Sequence, residues 1–155
     1  MQISPFTKYG LIFATIPMVS TYVLGHIFKA EFLPDLESMA FPIVEYIFPF
    51  AGLSFVIALA CWVIFMRKSP SLTKGIFAGL ITVFMSYPII GFAIGFIHPD
   101  LTSRISSAIM ASISLALIGN ILTFWLTYPL GAICGGLIAT RFKNSLEPKQ
   151  MTEFD

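Results

Sequence analysis

The chain alternates between long apolar stretches and short polar connections. Residues 9–28, 46–66 and 75–97 each run roughly 20 residues without a charged side chain, and residues 105–140 do so for about 36. A helix needs about 20 residues to cross a hydrocarbon core of about 30 Å. The pattern therefore predicts an all-α integral membrane protein, folded as a four-transmembrane-helix bundle.

The apolar stretches also give the boundaries of one transmembrane domain, residues 1–155. The last stretch is too long for one perpendicular crossing, so its first part, about residues 101–116, is predicted to be an outer interfacial helical segment before the last span. In that segment an apolar stripe recurs every fourth residue and the serines lie off it. We place the four spans at about residues 9–28, 42–66, 75–97 and 117–140.

Charged residues make up only 11% of the chain, so most of it must face lipid or other helices. In a four-span arrangement, seven of the nine basic residues share one side of the membrane, and the other side holds Lys29, Arg104 and five carboxylates. Short loops rich in Lys and Arg stay in the cytoplasm. We therefore predict that both termini lie inside, in a bacterial inner (plasma) membrane. The seven are Lys8, Arg67, Lys68, Lys74, Arg141, Lys143 and Lys149.

Two other topologies compete with this arrangement. A fifth span, made by splitting the last stretch near Tyr128, would place Arg141 and Lys143 outside, against the bias of the basic residues. A cleaved signal peptide would remove the first span, but residues 25–28 offer no pattern of small residues for cleavage. We predict a retained first helix.

Small residues recur at spacing four in every span. In lipid, close backbone approach at such positions supplies the energy of helix association. Four helices can use only some of these faces internally, which predicts a homo-oligomer or a partner protein; the alternative is that Gly and Ala are simply common in membrane helices. The predicted helix-packing positions are Gly91, Gly95, Gly131, Ala132, Gly135 and Gly136.

A near-repeat links the third and fourth spans. Ser86-Tyr87-Pro88 corresponds to Thr127-Tyr128-Pro129, 41 positions later, and the two spans run in opposite directions. Both tyrosines therefore lie roughly 18 Å from the inner face, near the midplane. Each proline frees one backbone carbonyl, as at a transporter site; the alternative is two ordinary proline kinks. The candidate midplane site comprises Ser86, Tyr87, Pro88, Asn120, Trp125, Thr127, Tyr128 and Pro129.

Chemistry-bearing side chains are scarce in the predicted membrane interior. No Asp, Glu, Lys or Arg lies deep in a span, which counts against a proton- or cation-coupled transporter. His26 and His98 lie at the outer surface without ligand spacing, and no catalytic motif occurs, so we predict no metal, no cofactor and no enzyme. Aromatic residues near the inner boundary, Trp62 and Phe142 among them, are predicted to be interfacial anchors.

These features predict a non-enzymatic polytopic inner-membrane subunit that self-associates and acts through a partner protein, as a membrane anchor, a sensor, or a component of bacterial immunity or defence. The alternative is a small transporter or channel for a neutral or small solute, with its site at the proline-kinked midplane. The expected partners are the lipid bilayer, further copies of the chain and a cytosolic or membrane protein, and no nucleic acid directly. The residues predicted to contact a cytoplasmic partner or lipid are Arg67, Lys68, Lys74, Arg141 and Lys143.

Overall fold

The computed structural model describes residues 4–32, 43–96 and 104–146. These residues form helices and no strand, which confirms the predicted all-α class. The predicted outer loops, His98 and the C-terminal tail after Leu146 lie outside the described residues. The helices are α1 (Pro5–Phe32), α2 (Ile43–Met66), α3 (Leu72–Phe96) and α4 (Arg104–Leu146).

Serine caps begin two of the helices. Ser4 precedes α1, and its Oγ accepts a hydrogen bond of 3.2 Å from the backbone N–H of Thr7. Ser71 precedes α3 and accepts one of the same length from the N–H of Lys74. A serine in this position satisfies a backbone donor that has no partner within the helix. These caps explain why α1 and α3 begin three to four residues before the apolar stretches that predicted them.

Three stretches of the described residues are long and apolar enough to cross a membrane. They are Phe48–Met66, Leu72–Phe96 and Arg104–Ile121. The chain is therefore a helical membrane protein, while the number of crossings and their orientation remain predictions. The third stretch covers most of the segment predicted to lie along the outer interface. α4 runs without interruption through residue 117, where we had placed the start of the last span, because its first half packs against α3.

The antiparallel pair α3–α4 is held by backbone contacts at glycines. A side chain at Gly75 or Gly79 would overlap the backbone carbonyls of Gly135 and Gly131. At the other end, Gly91 and Gly95 lie against the backbone around Ala111 and Ala108, and Gly136 lies more loosely beside Leu72 and Ile76. We call this line of contacts the seam. The predicted packing glycines are thus used within one chain, so they give no support to a second copy.

The four helices meet in one buried cluster at the end of the bundle where α1 and α3 begin and α2 and α4 end. We call residues 4–14, 58–82 and 132–146 the basal end. The cluster draws on every helix and contains no charged side chain. Its fully or nearly fully buried members are Phe13, Ala14, Ala58, Trp62, Met66, Ala78, Ala139 and Phe142.

Trp62 is the centre of this basal core, with 0% of its surface exposed. Its Nε1 donates a hydrogen bond of 3.2 Å to the backbone carbonyl of Phe6. The ring centroids of Phe13 and Phe142 each lie 5.5 Å from that of Trp62. Gly10 provides the space, because a Cβ there would lie 2.7 Å from Cδ1 of the indole. The prediction that Trp62 and Phe142 are interfacial anchors was therefore wrong.

Candidate midplane site

The site is set by a difference in length between two paired helices. The seam joins Gly75 to Gly135 at one end and Gly95 to Ala108 at the other. Between these contacts α3 rises about 30 Å, whereas α4 has enough residues to rise about 40 Å. Since the backbones touch at both ends, α4 must bend away from α3 in between.

The bend lies between the contact of Ala111 with Gly91 and the contact of Gly131 with Gly79. We call residues 112–130 of α4 the arch. Pro129 lies inside it, and because proline cannot donate a helix hydrogen bond, the bend breaks no backbone bond at that position. Side chains on the outer side of the arch are exposed: Ile121 is 72% exposed and Trp125 is 76% exposed.

The ring of Tyr87 lies under the arch. A Cβ added at Gly119 would lie 2.5 Å from Cδ1 of Tyr87, so the ring is in direct contact with the α4 backbone there. Gly119 is the only glycine between Gly95 and Gly131. Its contact with Tyr87 was not predicted, although a single glycine beside Asn120 in a long apolar stretch was a usable signal.

Tyr128 and Asn120 bond to each other along the arch. The Tyr128 hydroxyl donates a hydrogen bond of 2.5 Å to Oδ1 of Asn120, two helical turns earlier. Nδ2 of Asn120 in turn donates one of 2.6 Å to the backbone carbonyl of Ala116. Tyr87 lies beside the same part of α4, because its ring contacts Gly119, the residue before Asn120. The structure thus brings together three of the predicted site residues: Tyr87, Asn120 and Tyr128.

Hydroxyl groups of α3 bond within their own helix. Ser86 Oγ donates a hydrogen bond of 2.7 Å to the carbonyl of Thr82. Thr82, which is 3% exposed, donates one of the same length to the carbonyl of Ala78. Such bonds to the preceding turn are the usual state of Ser and Thr in a membrane helix. The Ser86 hydroxyl therefore bonds the carbonyl of Thr82, two residues before Phe84, and not the Phe84 carbonyl that Pro88 frees.

The remaining predicted site residues differ in exposure. Trp125 is on the outer, exposed side of the arch. Pro129 is also exposed, while Pro88 and Thr127 are half-buried. The sequence placed all of these at one depth, but depth alone does not say which side of a helix a residue occupies.

The chemistry available at the arch is limited to uncharged hydrogen-bonding groups. Two tyrosine side chains and one amide lie there, and the bonds described above engage the Tyr128 hydroxyl and both polar atoms of the Asn120 side chain. Within residues 4–32, 43–96 and 104–146, no cluster of His, Cys, Asp and Glu suits a metal ion. Both cysteines are free thiols.

Two cavities lie away from the arch. One of about 560 Å³ lies at the basal end, where α2 and α4 finish beside the start of α1. The second, of about 240 Å³, is an apolar groove beside Ile76 and Gly136. The predicted basic contact residues are also at the basal end. Lys74 Nζ donates a hydrogen bond of 3.0 Å to the carbonyl of Ser69, whereas Arg67, Lys68, Arg141 and Lys143 are exposed.

Comparison of this chain with protein-family models, with curated proteins and with solved structures finds no match.

Proposed function

We propose that the protein is a non-enzymatic membrane subunit that associates with other copies of itself and acts through a partner protein. One observation carries the proposal: the hydrogen-bonded run from Tyr128 through Asn120 to the Ala116 carbonyl. Together with the ring of Tyr87 against Gly119, it gives the most polar part of the membrane interior a packing role. Side chains engaged in this way are suited to fixing the shape of α4 rather than to binding cargo.

The surface that we assign to self-association is the first half of α4. Only 6% of the apolar stretch Arg104–Ile121 is buried within the chain. The seam uses the small residues, so the free face of this stretch presents large side chains instead. Its most exposed apolar members include Ile105, Met110, Leu117, Ile118 and Ile121.

The basic residues favour a placement in the bacterial inner membrane with both termini inside. A role in anchoring, sensing or defence would suit such a subunit.

Disulfide cross-linking in native membranes tests this proposal. The background is the variant Cys61→Ala with Cys134→Ala, and the probe is Ile113→Cys on the exposed face of α4. The matched control is Ile64→Cys, which is exposed on α2 near the basal end. We expect an oxidised dimer with the α4 probe and none with the control. Equal cross-linking at both positions would indicate random collision, and none at either would contradict self-association through this face of α4.

The second candidate is a small transporter or channel for a neutral or small solute. The observation that favours it is the arch itself, because its inner side gathers two phenols and an amide near the predicted midplane. Thr127→Cys in the same cysteine-free background separates the two functions. If the protein is a transporter with a water-lined path, this thiol should react with a small, charged thiosulfonate reagent as fast as the thiol of Lys68→Cys does. In the packed subunit that we propose, the reaction is much slower.

A further inference from the structure

The cavity at the basal end has the size of a ligand site. Its volume of about 560 Å³ falls within the range of about 300–1,000 Å³ that is usual for small-molecule sites. Met66 and Phe142, which belong to the buried basal core, form part of its lining. We call this cavity the basal groove. Met66 and Phe142 are packed in the buried core, so this side of the groove is fixed by the fold.

Two chemistries meet in the basal groove. Phe6, Val63 and Leu146 contribute apolar surface, and Arg67 and Lys68 contribute adjacent positive charges. Both basic residues are exposed, as is Leu146. A ligand that satisfies this surface has a hydrocarbon part and an anionic part that lie next to each other.

The basal end supplies no negative charge of its own. Its described residues include six basic side chains, at positions 8, 67, 68, 74, 141 and 143, and no carboxylate. Because exposed cations such as Arg67 and Lys68 attract anions at a membrane surface, the basal groove lies in a field that favours an anionic ligand.

The depth of the basal groove points to lipid rather than to a water-soluble ligand. Met66 ends the apolar stretch Phe48–Met66, and Leu72 begins the next one. Arg67 and Lys68 fall between these two stretches, at the level of the lipid headgroups, whichever way the chain is inserted. Basic pockets at the ends of membrane helices are recurrent sites for anionic headgroups.

We propose that the basal groove binds one anionic phospholipid. Arg67 and Lys68 hold the phosphate, and an acyl chain lies along Phe6, Val63 and Leu146. The basic residues would then bind lipid at one defined site between α1, α2 and α4, and not only through a general attraction to the membrane surface.

Native mass spectrometry of the full chain, stripped of lipid, tests the proposal. Phosphatidylglycerol, phosphatidylcholine of the same chain length and inorganic phosphate are the probes. We expect phosphatidylglycerol to bind at least about tenfold more tightly than phosphatidylcholine. Arg67→Gln with Lys68→Gln should weaken that binding at least about fivefold, whereas Arg141→Gln with Lys143→Gln, which removes the same charge outside the groove, should weaken it less than about twofold.

A third variant examines the apolar half of the site. Leu146→Gln at the exposed end of α4 should weaken the binding of phosphatidylglycerol without affecting the fold. Equal losses in the two double variants, or equal affinity for the two phospholipids, would overturn the proposal. So would full competition by inorganic phosphate, which would reduce the groove to a simple anion site. A dimer that only the Arg67→Gln, Lys68→Gln variant disrupts, and that lipid does not displace, would assign the groove to a protein partner.

Discussion

The basal core and the α3–α4 seam hold helices together by opposite means. In the basal core a glycine makes room for a large side chain, since Gly10 lies under the indole of Trp62. In the seam glycines face backbone directly, as where Gly79 meets Gly131. Lipid provides no hydrophobic drive between helices, so both solutions depend on contact area and close packing. The comparison teaches that a small residue in a membrane helix has two uses, and that only the neighbour across the interface decides which.

The largest effect is expected in the basal core. Trp62→Ala removes a fully buried indole and its bond to Phe6, which should cost about 3–5 kcal/mol of stability through the cavity that remains. Phe48→Ala is the control, since this ring is exposed on α2 and its loss should cost less than about 0.5 kcal/mol. Equilibrium unfolding in mixed micelles measures both. Similar losses for the two aromatic residues would contradict the central position of Trp62.

The seam should be the next most sensitive region. Gly79→Ala forces a methyl group into the backbone of Gly131 and should cost about 1–3 kcal/mol, because neither helix can move without opening the other contacts. Gly52→Ala is the control, since no described atom outside the adjacent turns of α2 lies within 4 Å of the added Cβ. There the better helix propensity of Ala should leave stability unchanged or raise it by up to about 1 kcal/mol. A destabilised Gly52→Ala variant would show that helix propensity, rather than contact, governs these positions.

A smaller effect is expected under the arch. Tyr128→Phe removes the hydrogen bond to Asn120 and should cost about 0.6 kcal/mol, the average for such bonds in membrane proteins. The double variant Tyr87→Phe, Tyr128→Phe should remain folded and assembled, since both rings stay in place. Tyr22→Phe on the exposed side of α1 is the control. Loss of a cellular activity in a stable, assembled double variant would favour the transporter.

The smallest change is expected from Pro129→Ala. The seam fixes both ends of the arch, so restoring one helix hydrogen bond should leave α4 bent. Spin labels at Ile89 and Trp125, read by pulsed electron resonance, should give the same distance distribution with and without the proline. A clear shortening would mean that Pro129, and not the difference in length between α3 and α4, produces the arch.

The helices were largely predictable because a long apolar stretch lies within each of them. The prediction of residues 75–97 and the observed Leu72–Phe96 differ mainly at the Ser71 cap, where the helix starts among polar residues. The last span was predicted to begin near residue 117, but α4 has no break there. The contact of Ala108 with Gly95 keeps the first half of α4 paired with α3, and such pairing leaves no trace in the hydropathy of one segment.

The side chains of the candidate site were only partly predictable. The near-repeat placed Tyr87 and Tyr128 at one depth, and the structure brings them near each other. It also placed Trp125 there, but that indole is 76% exposed. Trp62 presents the same problem. A tryptophan near the end of an apolar stretch gives the same sequence pattern whether it faces lipid or packs against a residue such as Gly10. Depth follows from position along the helix, whereas direction depends on the partner helix.

The extra length of α4 has a consequence for how the sequence can vary. Between the outermost seam contacts α4 carries about seven more residues than α3, which is very nearly two complete helical turns. Two complete turns leave the direction of the following side chains unchanged, so Gly131 and Gly135 still face α3 beyond the arch. Deleting a single residue from the arch would rotate them by about 100° and turn the glycines of the seam away from α3. Insertions and deletions in this part of the gene should therefore be tolerated only in steps of about seven codons, which would lengthen or shorten the arch while leaving both ends of the seam in register.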